Sequence, residues 1–223
     1  MKKFVALIII ILTTVSLYFC SGGQSAKEQI QIETKSLSNP LYRQAYRLYY
    51  TKQYKQGYEL LSNYVFNQKG KSLVLHSLLV KFAIKLKMTG DLSKKYLDLK
   101  EHKYSIFANG VMSALEGHGI NHTVITFQDL LKKRFPGNPV ILMYMGYLYI
   151  LRNNPHFAVV TLEKSVSALS AFPFNRYYLA MAHYHTKNIS AAVSSLDSAI
   201  ALFPSFMQRE IEAAQRMKKR ISR

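Results

Sequence analysis

The sequence predicts an all-α fold: an α-α superhelix of about five helix pairs, closed by a C-terminal capping helix. Apolar residues recur at helical spacing through most of the chain, and no stretch of useful length alternates as a strand would. In the C-terminal half, similar residues also return after a fixed offset of 34 positions. A fixed period of this length is typical of stacked helical repeats, each of which buries its apolar face against its neighbours.

Residues 1–20 have the plan of a bacterial export signal. Lys2 and Lys3 precede an uncharged, largely apolar run from Phe4 to Phe19. As a helix this run would be roughly 24 Å long at about 1.5 Å per residue, which is short of a ~30 Å hydrocarbon core. We therefore expect a cleaved signal rather than an uncleaved membrane span.

The only cysteine, Cys20, directly follows this apolar run, with Leu17 three positions before it. This placement resembles a bacterial lipoprotein signal, in which the cysteine becomes the acylated first residue of the mature protein. Tyr18 and Phe19 depart from that pattern, which has small residues there. The resemblance implies an exported protein held to a membrane by lipid. The alternative is an ordinary cleaved signal and a soluble secreted or periplasmic protein.

Residues 21–40 are polar, lack aromatic side chains and show no sustained apolar period. This composition predicts a flexible tether. The alternative is an additional helix around Lys27 to Lys35.

The repeat is clearest when Met145-Gly146 is placed over Leu179-Ala180. The same offset superimposes an asparagine, an alanine and a leucine of the two copies, and a proline closes the second: Asn154 and Asn188, Ala158 and Ala192, Leu162 and Leu196, and Pro204. This order resembles the tetratricopeptide repeat, in which small residues let two helices approach closely. The resemblance covers roughly residues 38–206 and implies a stack of helical hairpins.

Earlier units follow the same plan less regularly. Their segments are Pro40 to Phe66, then Leu73 to Met88 with Leu92 to Leu99, and a third copy around Val111-Met112, Val124 and Pro136. We therefore assign residues 41–206 to the repeat domain and residues 207–223 to a basic C-terminal helix. The basic side chains of that helix are Arg209, Arg216, Lys218, Lys219, Arg220 and Arg223.

In tetratricopeptide-repeat proteins, the first helix of each pair lines a concave groove. The matching positions in this sequence are rich in tyrosine and methionine, which suit a binding surface. The predicted partner-binding residues are Tyr42, Tyr46, Tyr49, Met143, Tyr147, Ile150, Phe174, Tyr177, Met181 and Tyr184. The alternative is that these stripes belong to the core.

The chemistry of the chain favours binding over catalysis. The net charge of +18 favours anionic partners. Beyond Cys20 there is no thiol, and no set of residues has the spacing of a catalytic, cofactor or metal site. Basic residues show no nucleic-acid-reading motif. The sequence thus predicts a non-enzymatic scaffold that binds envelope proteins, without a small-molecule substrate. The alternative is binding of anionic lipid or cell-wall polymer through a basic face.

Overall fold

The computed structural model describes residues 26–99, 101–117 and 120–222, and within these ranges it contains helices and no strand. Short turns separate the helices. In chain order they are α1 (26–38), α2 (Pro40–Tyr50), α3 (Tyr54–Ser62), α4 (Leu73–Leu86), α5 (Thr89–Leu97), α6 (His102–Glu116), α7 (Ile120–Asp129), α8 (Pro139–Leu151), α9 (Pro155–Ala168), α10 (Pro173–His185), α11 (Ile189–Leu202) and α12 (Gln208–Ile221). Two π-helical turns, Asn63–Asn67 and Leu130–Arg134, continue α3 and α7.

The helices form five antiparallel pairs, α2/α3 to α10/α11. The first helices of the pairs pack side by side in the order α2, α4, α6, α8 and α10, and make the inner layer. α12 packs on α11 as the end cap. The prediction of an all-α repeat superhelix is confirmed.

Four of the five pairs share one turn geometry. A non-glycine residue, Lys52, Lys87, Asn153 or Lys187, takes a left-handed conformation with φ between 55° and 62°. The amide N–H of the next residue then donates to the carbonyl five positions earlier, at 2.8–2.9 Å. This bond satisfies a carbonyl that the helix end would leave free. The same turn therefore connects the two helices in each of these four pairs.

Small residues set the distance between helices, as predicted. A Cβ atom on Gly146 would collide with the side chain of Leu162, and one on Gly57 would collide with the ring of Phe82. Asn138 caps α8 by accepting from the N–H groups of Val140 and Ile141. Asn154 precedes α9 in the same way but makes no such side-chain bond.

The prediction of a flexible tether at 21–40 is wrong for residues 26–38, which form α1. The physical reason is a buried carboxylate. Glu33 accepts hydrogen bonds from Ser72 Oγ (2.9 Å) and from the N–H groups of Leu73 (2.9 Å) and Val74 (3.1 Å), so it caps the N-terminus of α4. Burial raises the pKa of Glu33.

Residues 1–25, with the predicted signal and Cys20, lie outside the described residues.

Among the described helices, none has the length and apolar character needed to cross a membrane.

Candidate functional site

The first and last parts of the repeat domain meet across the concave side. The ring of Tyr46 on α2 lies 6.4 Å from that of Phe174 on α10 and 6.0 Å from that of Phe206, which precedes α12. The Tyr46 hydroxyl donates to a carboxylate oxygen of Glu210 on α12, at 3.1 Å. The superhelix therefore curves until α2 fills the N-terminal part of its own groove.

This closure corrects the predicted groove. Tyr42, Tyr46, Met143 and Ile150 are buried, with 4–8% of their surface exposed, so the expectation that they line an open groove is wrong. Tyr49, Tyr147 and Phe174 are partly buried and pack on neighbouring rings: Tyr49 on Phe82 at 5.4 Å, Tyr147 on Tyr178 at 4.9 Å and Phe174 on Phe203 at 5.2 Å. Of these seven side chains, all but Tyr147 belong to the hydrophobic core or pack against it.

A partly buried lysine lies in this closed part. Lys81 of α4 places its ammonium 5.1 Å from the centre of the Phe174 ring. It lines a narrow internal space together with Tyr42, Tyr46 and Tyr178. Burial lowers the pKa of Lys81 to about 8, because the apolar surroundings disfavour the ammonium. Glu210 is also partly buried there, and burial raises its pKa while the hydrogen bond from Tyr46 opposes the rise.

The C-terminal part of the concave side remains open. Between α10 and α12 lies a groove of about 490 Å³ lined by Tyr177, Met181 and Tyr184 from α10 and by Met217 from α12. We call it the α10–α12 groove. Tyr184 is 37% exposed, and Tyr177 and Met181 are partly exposed. Three of the ten predicted residues therefore do line an open groove.

Two guanidinium groups flank this groove. Arg216 and Arg220 line it from α12, and both favour the ionised form of Tyr177, opposing the burial that raises its pKa. Arg216 is bound to Glu212 at 3.4 Å on the exposed side. Within the described part of the chain no carboxylate lies within 4 Å of the Arg220 guanidinium. The groove thus combines aromatic rings, flexible thioethers and an uncompensated positive charge.

Sequence reasoning missed the α12 side of the groove. A signal was present: Ala213, Met217 and Arg220 recur at helical spacing and share one face of α12. It could not be recognised as a groove wall until the position of α12 beside α10 was known.

Among the described residues no group of three or more histidine, cysteine, aspartate or glutamate side chains could hold a metal ion.

Comparison with solved structures shows which known proteins have a similar fold. Over 78% of this chain and 96% of the other, it resembles TTC0263, a thermophilic tetratricopeptide-repeat protein of Thermus thermophilus, with a TM-score of 0.55 and 15% identity. It also resembles a chain of the APC/C hetero-tetramer Cut9–Hcn1, with a TM-score of 0.55 and 14% identity over 93% of this chain and 41% of that one.

No protein-family model matches the sequence. No curated protein matches it either. At these identities the resemblance concerns the fold alone, so the conclusion is structural: the described part of the chain has the fold of a tetratricopeptide-repeat protein.

Proposed function

We propose that this protein is a non-enzymatic scaffold of the bacterial cell envelope, and that the α10–α12 groove binds a segment of a partner protein. The observation that carries the proposal is the contrast within the concave side, which is filled by α2 at one end and open at the other. Tyrosine offers a large rigid surface with a polar tip, and methionine adapts to different partners. Both are suited to gripping a protein segment.

The partner segment should carry an apolar anchor and an acidic side chain. Tyr177, Met181 and Met217 offer the apolar contact, while Arg220 offers an unpaired guanidinium at the groove wall. A carboxylate paired with arginine in two parallel hydrogen bonds would fix the orientation of the segment. An extended or helical peptide can present both groups to one groove.

Site-specific photo-crosslinking in intact cells tests this proposal. A photo-reactive residue in place of Tyr184 should form a discrete adduct with an envelope protein, because the side chain lies in the groove. The matched control is Phe157, which is 61% exposed on α9 and lies outside the groove. Adducts from position 157 alone, or equal adducts from both positions, would contradict the groove as the binding site.

Attachment to the membrane is part of the proposal. The support is the sequence: an apolar run of 16 residues followed by Cys20. Two or more acyl chains at this cysteine would hold the protein stably at a membrane. Mass spectrometry of the mature N-terminus should find acylated Cys20, whereas an unmodified N-terminal serine or glycine would argue for a soluble exported protein.

A second candidate function is binding of anionic lipid or cell-wall polymer. Arg43 and Arg47 of α2 line an open surface cavity of about 770 Å³ beside Tyr50 and Phe206. Arg209 lies over the Tyr50 ring, with 5.6 Å between guanidinium carbon and ring centre. Binding of an anionic polymer here should weaken strongly with added salt, whereas an apolar groove contact should persist. A salt titration with anionic vesicles therefore separates the two functions.

A further inference from the structure

A second cleft lies in the N-terminal half and shares no lining residue with the α10–α12 groove. It runs between α3, with its π-helical turn, and α5, and has a volume of about 520 Å³. We call it the α3–α5 cleft. Sites for small molecules typically have roughly 300–1,000 Å³. None of the residues that line this cleft belongs to the predicted partner-binding surface.

Two hydroxyl groups in this cleft have no hydrogen-bond partner among the described residues. Tyr58 is 5% exposed, and both its hydroxyl and that of Ser62 are buried and unpaired. The same is true of Tyr104, 4% exposed, in an adjoining cavity of about 370 Å³. Unpaired buried hydroxyls cost stability, and most proteins avoid them. In the α3–α5 cleft, a bound ligand could supply the missing partners of the Tyr58 and Ser62 hydroxyls.

The π-helical turn contributes amides to the cleft. Asn63 and Asn67 line it, and Asn67 Nδ2 donates to Asn63 Oδ1 at 2.8 Å. The amino group of Asn63 and the side-chain carbonyl of Asn67 stay available for other partners. The chain's other described π-helical turn, Leu130–Arg134, ends α7 in the same way. The turn is therefore a feature of the fold, and the unpaired hydroxyls carry the argument.

The cleft differs in charge from the rest of the protein. Its ionisable residues are Glu59, Asp98 and Lys95, which together carry a formal charge of −1 in a chain of +18. Lys95 lies over the rings of Tyr58 and Phe66, at 5.3 and 5.9 Å. Because the two carboxylates outnumber the one ammonium, the cleft disfavours an anionic ligand. A neutral ligand with many hydroxyl groups can donate to the two carboxylates and the amide oxygen and accept from the tyrosine, serine and asparagine groups.

We propose that the α3–α5 cleft binds a neutral saccharide. Each sugar ring offers adjacent hydroxyl groups along its rim, which match the carboxylates of Glu59 and Asp98 and the amides of the turn. Its C–H face can pack on the apolar part of the lining, formed by Phe66 and Leu99. This inference does not depend on the proposed partner groove, because the two sites share no lining residue.

The test is titration of the full chain with neutral sugars, using isothermal calorimetry and saturation-transfer NMR. The probes are glucose, N-acetylglucosamine and β-1,4-linked oligomers of each, with glucuronate as the anionic comparison. We expect saturable binding of at least one neutral probe and none of glucuronate. Tyr58→Phe and Ser62→Ala should each weaken this binding about two- to tenfold, the range for one lost hydrogen bond.

Thermal unfolding separates a binding role from a structural one. Tyr58→Phe removes an unpaired buried hydroxyl, so the melting temperature of the variant should stay equal or rise while sugar affinity falls. The control Tyr184→Phe, in the α10–α12 groove, should leave sugar affinity unchanged. The proposal would be overturned if no neutral sugar bound saturably, or if the cleft variants bound sugar as tightly as the wild type. Binding of glucuronate alone, or of a peptide alone, at this cleft would also overturn it.

Discussion

Both ends of the concave side are rich in tyrosine, but these side chains lie in different environments. At one end Tyr42 and Tyr46 of α2 are 4% exposed, enclosed by α10 and by the start of α12. At the other end Tyr184 of α10 is 37% exposed, beside the middle of α12. Helical register determines which face a side chain lies on. The curvature of the stack then determines whether that face is core or surface.

The largest expected effect is the loss of stability in Tyr46→Ala. The ring contacts Tyr42, Phe174 and Phe206, and its hydroxyl is bound to Glu210. Removing a buried aromatic side chain costs about 3–5 kcal/mol, which urea unfolding should detect as a lower midpoint. If Tyr46→Ala unfolds at the same urea concentration as the wild type, the N-terminal end of the groove is not closed.

Lys81→Met should stabilise the closed end by about 2 kcal/mol at pH 7. The folded state lowers the pKa of Lys81 from its usual 10.5 to about 8, so burial of the ammonium opposes folding. The sign follows from linkage: the wild type loses stability as pH falls from 10.5 to 8, and the full penalty remains below 8. Unfolding curves at pH 7 and pH 11 measure this, and the advantage of the variant should disappear at pH 11. A less stable Lys81→Met at pH 7 would mean that the ammonium is solvated or paired.

Glu210→Gln should stabilise the junction of α2 and α12 by about 1 kcal/mol at pH 7, because the amide can still accept from Tyr46 without a buried charge. Burial raises the pKa of Glu210 above its ordinary 4.5. The wild type should therefore lose stability as pH rises through the window above 4.5, and the variant should lose less. Parallel pH dependences of the two proteins would show that Glu210 is solvated in the folded state.

The smallest effect on stability is expected at the open end. Tyr184→Ala and Arg220→Glu should change the free energy of unfolding by no more than about 0.5 kcal/mol, as for exposed residues in general. They should nevertheless weaken capture of the crosslinked partner, with Arg220→Glu affecting an acidic segment most. The matched control is Lys219→Glu on α12, which is exposed and does not line the groove. Equal loss of capture in both charge variants would assign the effect to overall charge.

The pairing of helices could be predicted because the physical cause is local. The 34-residue offset places Gly146 and Ala180 at the positions where helices touch, and the structure keeps both buried. α1 could not be predicted in the same way because its buried face is polar. Glu33 and Ser36 are its most enclosed side chains, and Glu33 is stabilised by the N-terminus of α4, 40 residues away in sequence.

About half of the candidate site could be predicted from the sequence, because helical register is a local property. Tyr177, Met181 and Tyr184 could be placed on the inner face from register alone. The burial of Met143, and the approach of Arg216 and Arg220 to the groove, depend on how far the stack curves, which is the sum of small rotations over five pairs. No local pattern in the sequence encodes that sum.

Thiol labelling of a matched methionine pair tests the central claim most directly. Met143→Cys and Met181→Cys, each in a chain that carries Cys20→Ser, replace residues of the same type on two neighbouring inner helices. Met143 is 4% exposed, whereas Met181 lines the open groove. We expect a maleimide to react at least about 100-fold more slowly with the thiol at 143, where reaction requires local opening, than with the partly exposed thiol at 181. Equal rates at the two positions would contradict the claim that one end of the concave side is closed and the other open.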